Sequence, residues 1–116
     1  YGRDLEIEYL NKICKLDLKE GTSMWDLSKA AEIIGLKNMC IRTSYDRLKI
    51  EVPFPCIILW RGNHFIVVYK VADDRIFVAD PEAGKITYNK TKFCNHWYEP
   101  NTKQGLAIMF EPFPDL

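Results

Sequence analysis

The feature of this sequence that most constrains its fold is a change in hydrophobic period at Pro53-Phe54-Pro55. Before these residues, apolar side chains recur every three or four positions, which is the spacing of amphipathic helices. After them, short apolar runs such as 56–60 and 64–71 are separated by turn residues, which is typical of antiparallel strands. Because helices come first and antiparallel strands follow, we predict an α+β fold.

The size and charge of the chain exclude several classes of protein. Its 116 residues are typical of one domain, so we predict a single domain over 1–116. Lysine plus arginine number 16, as do aspartate plus glutamate, so the net charge is zero and gives no footprint for nucleic acid. The apolar runs are shorter than the roughly 20 residues that span a bilayer. The start, Tyr1-Gly2-Arg3-Asp4, carries no export signal.

The four cysteines do not have the spacing of a metal or redox motif. They are Cys14, Cys40, Cys56 and Cys94, and no two of them are spaced C-x-x-C. The close pair Cys94 and His96 would supply at most half of a tetrahedral site, so no metal and no other cofactor is predicted. Four thiols without a secretion signal favour a reducing compartment, where each is expected to be a small buried hydrophobe. Burial is also the favoured interpretation of Cys56, ahead of a role as nucleophile.

Helical patterns dominate the first half of the chain. Ser23 can cap a helix, and Gly35 suits the left-handed position at its end. Thr43 or Ser44 can open one further helical turn. The elements predicted here are helices at 4–14, 24–34 and 44–48 and a strand at 38–42.

Strand patterns dominate the second half. Asn89 can cap a helix whose inner face carries Phe93 and Trp97, four residues apart. The elements predicted here are strands at 56–60, 64–71, 75–79, 85–88 and 106–110, a helix at 90–97, and turns at 61–63, 72–74 and 80–84. The simplest arrangement is a sheet of four or five strands with the helices on one face.

Only two histidines occur, and one of them can meet a carboxylate. His64 opens a strand and Asp80 closes the next one. If the hairpin pairs them directly, together with Ile66–Val78 and Val68–Ile76, their Cβ atoms lie about 4.5–5.5 Å apart. A one-residue shift of this register would put them on opposite faces of the sheet, whereas a two-residue shift would not.

A histidine held by an aspartate is the base-and-orienter half of a nucleophilic site. The alternative is structural, because a histidine at a strand start is commonly a hydrogen-bonded residue and Asp80 before Pro81 commonly begins a turn. The pattern alone leaves both interpretations open. His96, on a polar-faced helix, is predicted to be a surface residue.

The order of several motifs carries a family resemblance. These motifs are Gly21-Thr22-Ser23, 30–36, Leu48, 53–57, 63–69, Val78-Ala79-Asp80-Pro81 with Gly84, Phe93, Trp97 and Phe110-Glu111-Pro112. Together they resemble the N-terminal papain-like cysteine-peptidase domain of bacterial ABC exporters for bacteriocins and other double-glycine-leader peptides. The resemblance covers essentially the whole chain, and 63–69 with Asp80-Pro81 is its most specific part. It implies a papain-like fold with N-terminal helices packed on an antiparallel sheet.

The resemblance also implies a function and partners. Such domains cleave a leader after a Gly-Gly pair at the cytoplasmic face of the cell membrane, while the transporter exports the cargo. The implied partners are the leader peptide and the transmembrane and nucleotide-binding domains of the parent transporter, with no nucleic acid and no cofactor. His64 matches the family's general base and Asp80 the acid that orients it. Trp60, beside this pair, is a candidate for contact with the leader.

The start of the chain departs from the family pattern. The family nucleophile is a cysteine on an N-terminal helix, preceded by a glutamine that helps to form the oxyanion hole. Tyr1-Gly2-Arg3 is similar to the end of that helix, so we expect an N-terminally truncated domain whose first helix is missing. No cysteine here matches the nucleophile, and Cys14 matches an ordinary helix position. The 116-residue chain alone is therefore expected not to cleave a leader.

A missing helix would also leave apolar surface without cover. The expectation is that Trp60, Phe65 or Phe77 is then exposed, which would favour self-association.

Two other functions stay open at this point. One is a peptidase-like module without a nucleophile, which docks an export substrate but does not cleave it. The other is a cytosolic ligand-binding α+β domain with a structural histidine, which would leave His64 and Asp80 far apart. The presence of both His64 and Asp80 favours a parent transporter with peptidase activity, because a module that only binds needs neither residue.

Overall fold

The computed structural model describes residues 24–60 and 64–110. Its elements are α1 (Met24–Ile33), β1 (Asn38–Thr43), α2 (Tyr45–Glu51), β2 (Cys56–Trp60), β3 (His64–Ala72), β4 (Arg75–Asp80), β5 (Gly84–Asn89), α3 (Lys90–Trp97) and β6 (Gly105–Phe110). The predicted helix at 4–14, the cap at Ser23 and the turn at 61–63 lie outside the described residues.

All six strands join one antiparallel sheet in the order β1-β6-β2-β3-β4-β5. The last strand among the described residues, β6, lies between β1 and β2, and it therefore joins the two halves of the described sheet. The α+β prediction agrees with this architecture, although the expected four or five strands were too few.

Helices cover both faces of the sheet, so the prediction of one covered face is wrong. Successive side chains of a strand point to opposite faces. On β2, Ile58 belongs to a core with Leu48 of α2 and Phe93 of α3, whereas Ile57 belongs to a second core with Leu27 of α1. The unbroken apolar run of β2 requires this cover, because it has no polar side for water.

The C-terminal end of α1 has the capping geometry that the sequence predicted. After α1, the N–H of Leu36 donates to the carbonyl of Ala31 at 2.8 Å, and the N–H of Gly35 donates to that of Glu32 at 3.0 Å. Gly35 has φ of 87°. This is a Schellman motif, which confirms the predicted C-cap.

Two predicted N-caps are also confirmed. The side chain of Ser44 accepts a hydrogen bond from the N–H of Arg47 at the start of α2. The side chain of Asn89 accepts from the N–H of Lys92 at 2.8 Å and starts α3 directly after β5. The second cap turns α3 back onto the sheet, where its inner-face aromatic residues are buried.

Gly105 allows β6 to pass beneath the indole of Trp97. A Cβ at this position would overlap with Nε1 of Trp97, whose N–H donates to the carbonyl of Leu106 at 2.9 Å. We expect Gly105→Ala to lower the free energy of unfolding by about 1–3 kcal/mol, because the buried indole must shift. Denaturant unfolding measures this loss. Trp97→Phe in the same chain should make Gly105→Ala less costly, and strictly additive losses would contradict the proposed clash.

Candidate active site

His64 and Asp80 meet where β3 begins and β4 ends. Nε2 of His64 lies 3.0 Å from Oδ1 of Asp80. The two side chains are 19% and 10% exposed, so water competes little for this contact. An ionised carboxylate only accepts hydrogen bonds, so Nε2 carries the hydrogen and Nδ1 is the ring nitrogen that can take a proton.

The register that produces this contact differs from the predicted one. Strands β3 and β4 pair Val68 with Val78, not with Ile76. Asp80 is therefore a diagonal neighbour of His64, two residues away from direct opposition. The predicted register is wrong, but the shift is even and keeps both side chains on one face.

A β-bulge at Tyr69 maintains that common face. On the turn side of the bulge, Lys70 pairs with Phe77, and the register shifts between Val68 and Lys70. Without a bulge, the pairing set at the turn would put His64 and Asp80 on opposite faces of the sheet. Tyr69 is the extra residue that restores the alignment.

The turn after β4 holds the carboxylate of Asp80. Its Oδ1 accepts hydrogen bonds from the backbone N–H of Glu82 at 2.8 Å and of Ala83 at 3.3 Å, in addition to the histidine. Burial would raise the pKa of Asp80, but the hydrogen bonds from Glu82, His64 and Ala83 outweigh it, and this pKa lies below its ordinary value. Asp80 is thus an anion at neutral pH.

This lowered pKa predicts a loss of stability in acid. A carboxyl whose pKa is lower in the folded state contributes stability above its unfolded pKa, about 3.9 for aspartate, and the contribution is lost as pH falls through the folded value. The free energy of unfolding should fall more steeply below about pH 4 in the wild type than in Asp80→Asn, which cannot titrate. Denaturant unfolding across this range measures both slopes, and parallel curves would contradict the prediction.

Trp60 lies directly opposite His64 in the β2–β3 pair. Only 7% of it is exposed. Its ring centroid lies 5.2 Å from that of Phe93 and 5.4 Å from that of Tyr88, and it stacks on His96 at 5.3 Å and 16°. Trp60 is therefore a core residue beneath the candidate site, and contact with a leader stays a prediction that this burial disfavours.

His96 is exposed, as predicted. Its Nδ1–H donates to the carbonyl of Lys92 within α3 at 2.9 Å. Sequence reasoning missed its stacking on Trp60, because β2 and α3 are far apart in the chain.

The described thiols are not arranged as the partner of His64. Cys56 is fully buried, burial raises its pKa far above the usual range, and it lies four residues along β2 from Trp60, or roughly 13 Å. Cys40 is exposed on the edge strand β1, so its predicted core position is wrong. Cys94 is half-buried on α3, where burial raises its pKa.

The surface expected to lack cover is largely covered. Trp60 is 7% exposed and Phe65 only 1%, so that expectation is wrong for both, while Phe77 is half-buried. Phe65 packs in the core that Leu27 and Ala31 of α1 complete. Self-association stays a prediction.

Residues 24–60 and 64–110 lack two features that would point to other kinds of site. No cluster of three or more histidine, cysteine, aspartate or glutamate residues in these ranges could hold a metal ion. No helix in them is long and apolar enough to cross a membrane.

Comparison with solved structures identifies the class of fold. A double-glycine-motif protease from an AMS/PCAT transporter, solved with its leader peptide, matches at a TM-score of 0.70 with 27% identity, over 90% of this chain and 69% of that one. The peptidase domain of Streptococcus mutans ComA shares the fold at a TM-score of 0.69, with 24% identity over 94% and 92% of the two chains. The fold is therefore that of papain-like peptidase domains, as the sequence resemblance implied.

The family follows from the sequence comparisons. The model of the Peptidase C39 family matches residues 1–112, and this chain belongs to that family. The lactococcin-G-processing and transport ATP-binding protein LagD of Lactococcus lactis is 30% identical over 102 residues, which is 84% of this chain and 14% of LagD. The transport/processing ATP-binding protein ComA of Streptococcus pneumoniae is 30% identical over 122 residues, which is 99% of this chain and 16% of ComA. The chain thus spans about one-seventh of the length of these relatives.

Proposed function

We propose that this chain belongs to the peptidase domain of an ABC transporter. The natural polypeptide that carries it would cleave a double-glycine leader from a bacteriocin or another secreted peptide at the cytoplasmic face of the membrane. The observation that carries the proposal is the 3.0 Å contact between His64 and Asp80 in a chain of the Peptidase C39 family. The names of LagD and ComA, which describe processing and transport, support it. The leader, the transmembrane domain and the nucleotide-binding domain are the proposed partners.

The geometry supports a two-step acyl transfer. Nδ1 of His64 takes the proton of a cysteine thiol, and Asp80 holds the ring through Nε2–H. The thiolate attacks the carbonyl of the scissile glycine, the peptide C–N bond breaks, and His64 gives the proton to the leaving amine. His64 then takes a proton from water, and the hydroxide attacks the thioester carbonyl. The C–S bond breaks, the leader leaves as a carboxylic acid that loses its proton to solvent, and His64 returns its proton to the thiolate. A substrate slot too narrow for any side chain would account for selection of Gly-Gly.

We place the nucleophilic thiol outside residues 24–60 and 64–110. Cys56, the most buried of the described thiols, is kept protonated by that burial. The resemblance predicts instead a cysteine on a helix N-terminal to Tyr1. Cys14 also lies outside the described residues. The variant Cys14→Ser therefore tests whether the nucleophilic thiol is that of Cys14 or that of a cysteine elsewhere in the natural polypeptide.

The test uses the natural polypeptide that carries this chain, a synthetic double-glycine leader peptide and a thiol-alkylating reagent. Cleavage after Gly-Gly that alkylation abolishes supports the proposal. Cleavage that persists in Cys14→Ser assigns the thiol to another part of the polypeptide. Cleavage that resists alkylation, or no cleavage, would overturn the proposed peptidase.

A docking module without a nucleophile is the second candidate. The observation that favours it is the placement of the described thiols, of which Cys56 is fully buried and Cys40 lies two strands beyond β2. It predicts saturable binding of the leader peptide with no cleavage product. The part-buried contact between His64 and Asp80 weighs against it, because docking alone does not require a base.

A further inference from the structure

Three hydrogen-bond donors converge on one oxygen atom of Asp80. Oδ1 accepts from Nε2 of His64 at 3.0 Å, from the N–H of Glu82 at 2.8 Å and from the N–H of Ala83 at 3.3 Å. Two of these donors are backbone groups, whose direction is fixed by the turn and not by a side-chain rotamer. The backbone of Glu82 and Ala83 therefore fixes the position of Oδ1.

The turn that supplies these donors is short, and the residues at its two ends pair with each other. Asp80 and Gly84 are the last pair of the β4–β5 ladder, so the turn has only three residues between its paired ends. Gly84 has φ of 84°, a conformation that L side chains rarely adopt. Pro81 restricts the backbone directly after Asp80.

We propose that the turn Asp80–Gly84 is a positioning element for His64. The backbone N–H groups of the turn hold Oδ1 of Asp80 at the point where this oxygen accepts a hydrogen bond from Nε2 of His64. The accepting oxygen, and not the negative charge of the carboxylate, then fixes the histidine tautomer. A role for that tautomer in catalysis rests on the proposed function. The positioning itself does not.

This arrangement makes an unusual prediction for Asp80→Asn. In serine-protease triads, the same change lowers kcat about 10⁴-fold, because the wrong tautomer of histidine forms. Here an asparagine can keep its carbonyl oxygen at the position of Oδ1, where three N–H groups favour an acceptor. An amide group turned the other way would point its own N–H groups at the backbone donors of Glu82 and Ala83, which is unfavourable.

The tautomer can be measured on the chain with ¹⁵N-labelled histidine, because the ¹⁵N shifts of a ring distinguish protonated from unprotonated nitrogens. The chain has two histidines, so His96→Gln isolates the signals of His64. We expect Asp80→Asn to keep the Nε2–H form and the hydrogen-bonded ¹⁵N shift of Nε2 at neutral pH. In Asp80→Ala, Nε2–H loses its acceptor, and its ¹⁵N shift should move to that of a histidine without this hydrogen bond. A change to the Nδ1–H form in Asp80→Asn would overturn the proposal.

The chain offers a matched pair of glycines for testing the turn. Gly35 and Gly84 have φ of 87° and 84°, and neither has an atom within 4 Å of an added Cβ. Valine at either position meets the same backbone strain. Gly84→Val should change the ¹⁵N shifts of His64, whereas Gly35→Val, at the end of α1, should leave them as in the wild type. Wild-type ¹⁵N shifts of His64 in Gly84→Val as well would show that the turn does not position His64.

Leader cleavage by the natural polypeptide is measured separately. If cleavage occurs, Asp80→Asn should keep kcat within about tenfold of the wild type, while Asp80→Ala loses more, with KM little changed in both. If the wild type does not cleave but Asp80→Asn keeps the wild-type ¹⁵N shifts of His64, the proposed function fails and the positioning role stands. If the wild type cleaves and Asp80→Asn shows the Nδ1–H form, only the positioning role fails.

Discussion

Replacing His64 with alanine should reduce leader cleavage by the natural polypeptide by about 10³–10⁶-fold in kcat/KM. One imidazole would serve as base for the thiol, as acid for the leaving amine and as base for the attacking water. Its only hydrogen-bond partner among the described residues is Asp80, so the variant removes one end of a single contact. Initial rates of leader cleavage over a range of peptide concentrations measure the effect.

The matched control is His96→Gln, at the other histidine of the chain. His96 is exposed, and its Nδ1–H is bonded within α3, so this variant should cleave the leader at close to the wild-type rate. Thermal unfolding of both variants shows whether either one has lost its fold. A His64→Ala protein that folds and cleaves at a rate within tenfold of the wild type would exclude His64 as the general base.

Local rules explain why much of the fold could be predicted. The caps at Ser44 and Asn89 and the Schellman motif at Gly35 each satisfy orphan backbone groups with residues one turn away. The strand Cys56–Trp60 was also predicted with its observed bounds. Each of these features depends on neighbours in sequence, which a pattern can report.

The β3–β4 register could not be predicted, because two local preferences disagree by one residue. The turn at Asp73 and Asp74, with φ of 52° and 56°, fixes the pairing at one end of the hairpin. The apolar face that includes Val68 and Val78 fixes it at the other. The bulge at Tyr69 reconciles the two, and nothing in the identity of a tyrosine signals a bulge.

The sequence predicted which two residues form the candidate site, but not how they are arranged. The proximity of His64 and Asp80 was expected, and it is observed through a diagonal contact instead of a direct one. The convergence of backbone donors on Oδ1 was missed, since a turn after Asp80 was predicted only from its Pro and Gly residues. Which oxygen accepts, and from how many donors, depends on coordinates that composition does not encode.

Replacing Trp60 with alanine should lower the free energy of unfolding by about 3–5 kcal/mol, which is a large part of the stability of an ordinary domain. The indole is 7% exposed and lies against the rings of Phe93, Tyr88 and His96. Removing it leaves a cavity directly opposite His64 on the neighbouring strand. Denaturant unfolding of the chain measures the loss.

Trp60→Phe separates the core role from the leader-binding role that the sequence suggested. Phenylalanine retains most of the packing and should leave most of the stability, so any effect on the leader can be read without unfolding. If Trp60 acts only in the core, KM for the leader stays close to that of the wild type. A large rise in KM at nearly unchanged stability would mean that the exposed edge of the indole contacts the leader. In that case the 7% of Trp60 that reaches solvent matters more for function than the buried remainder.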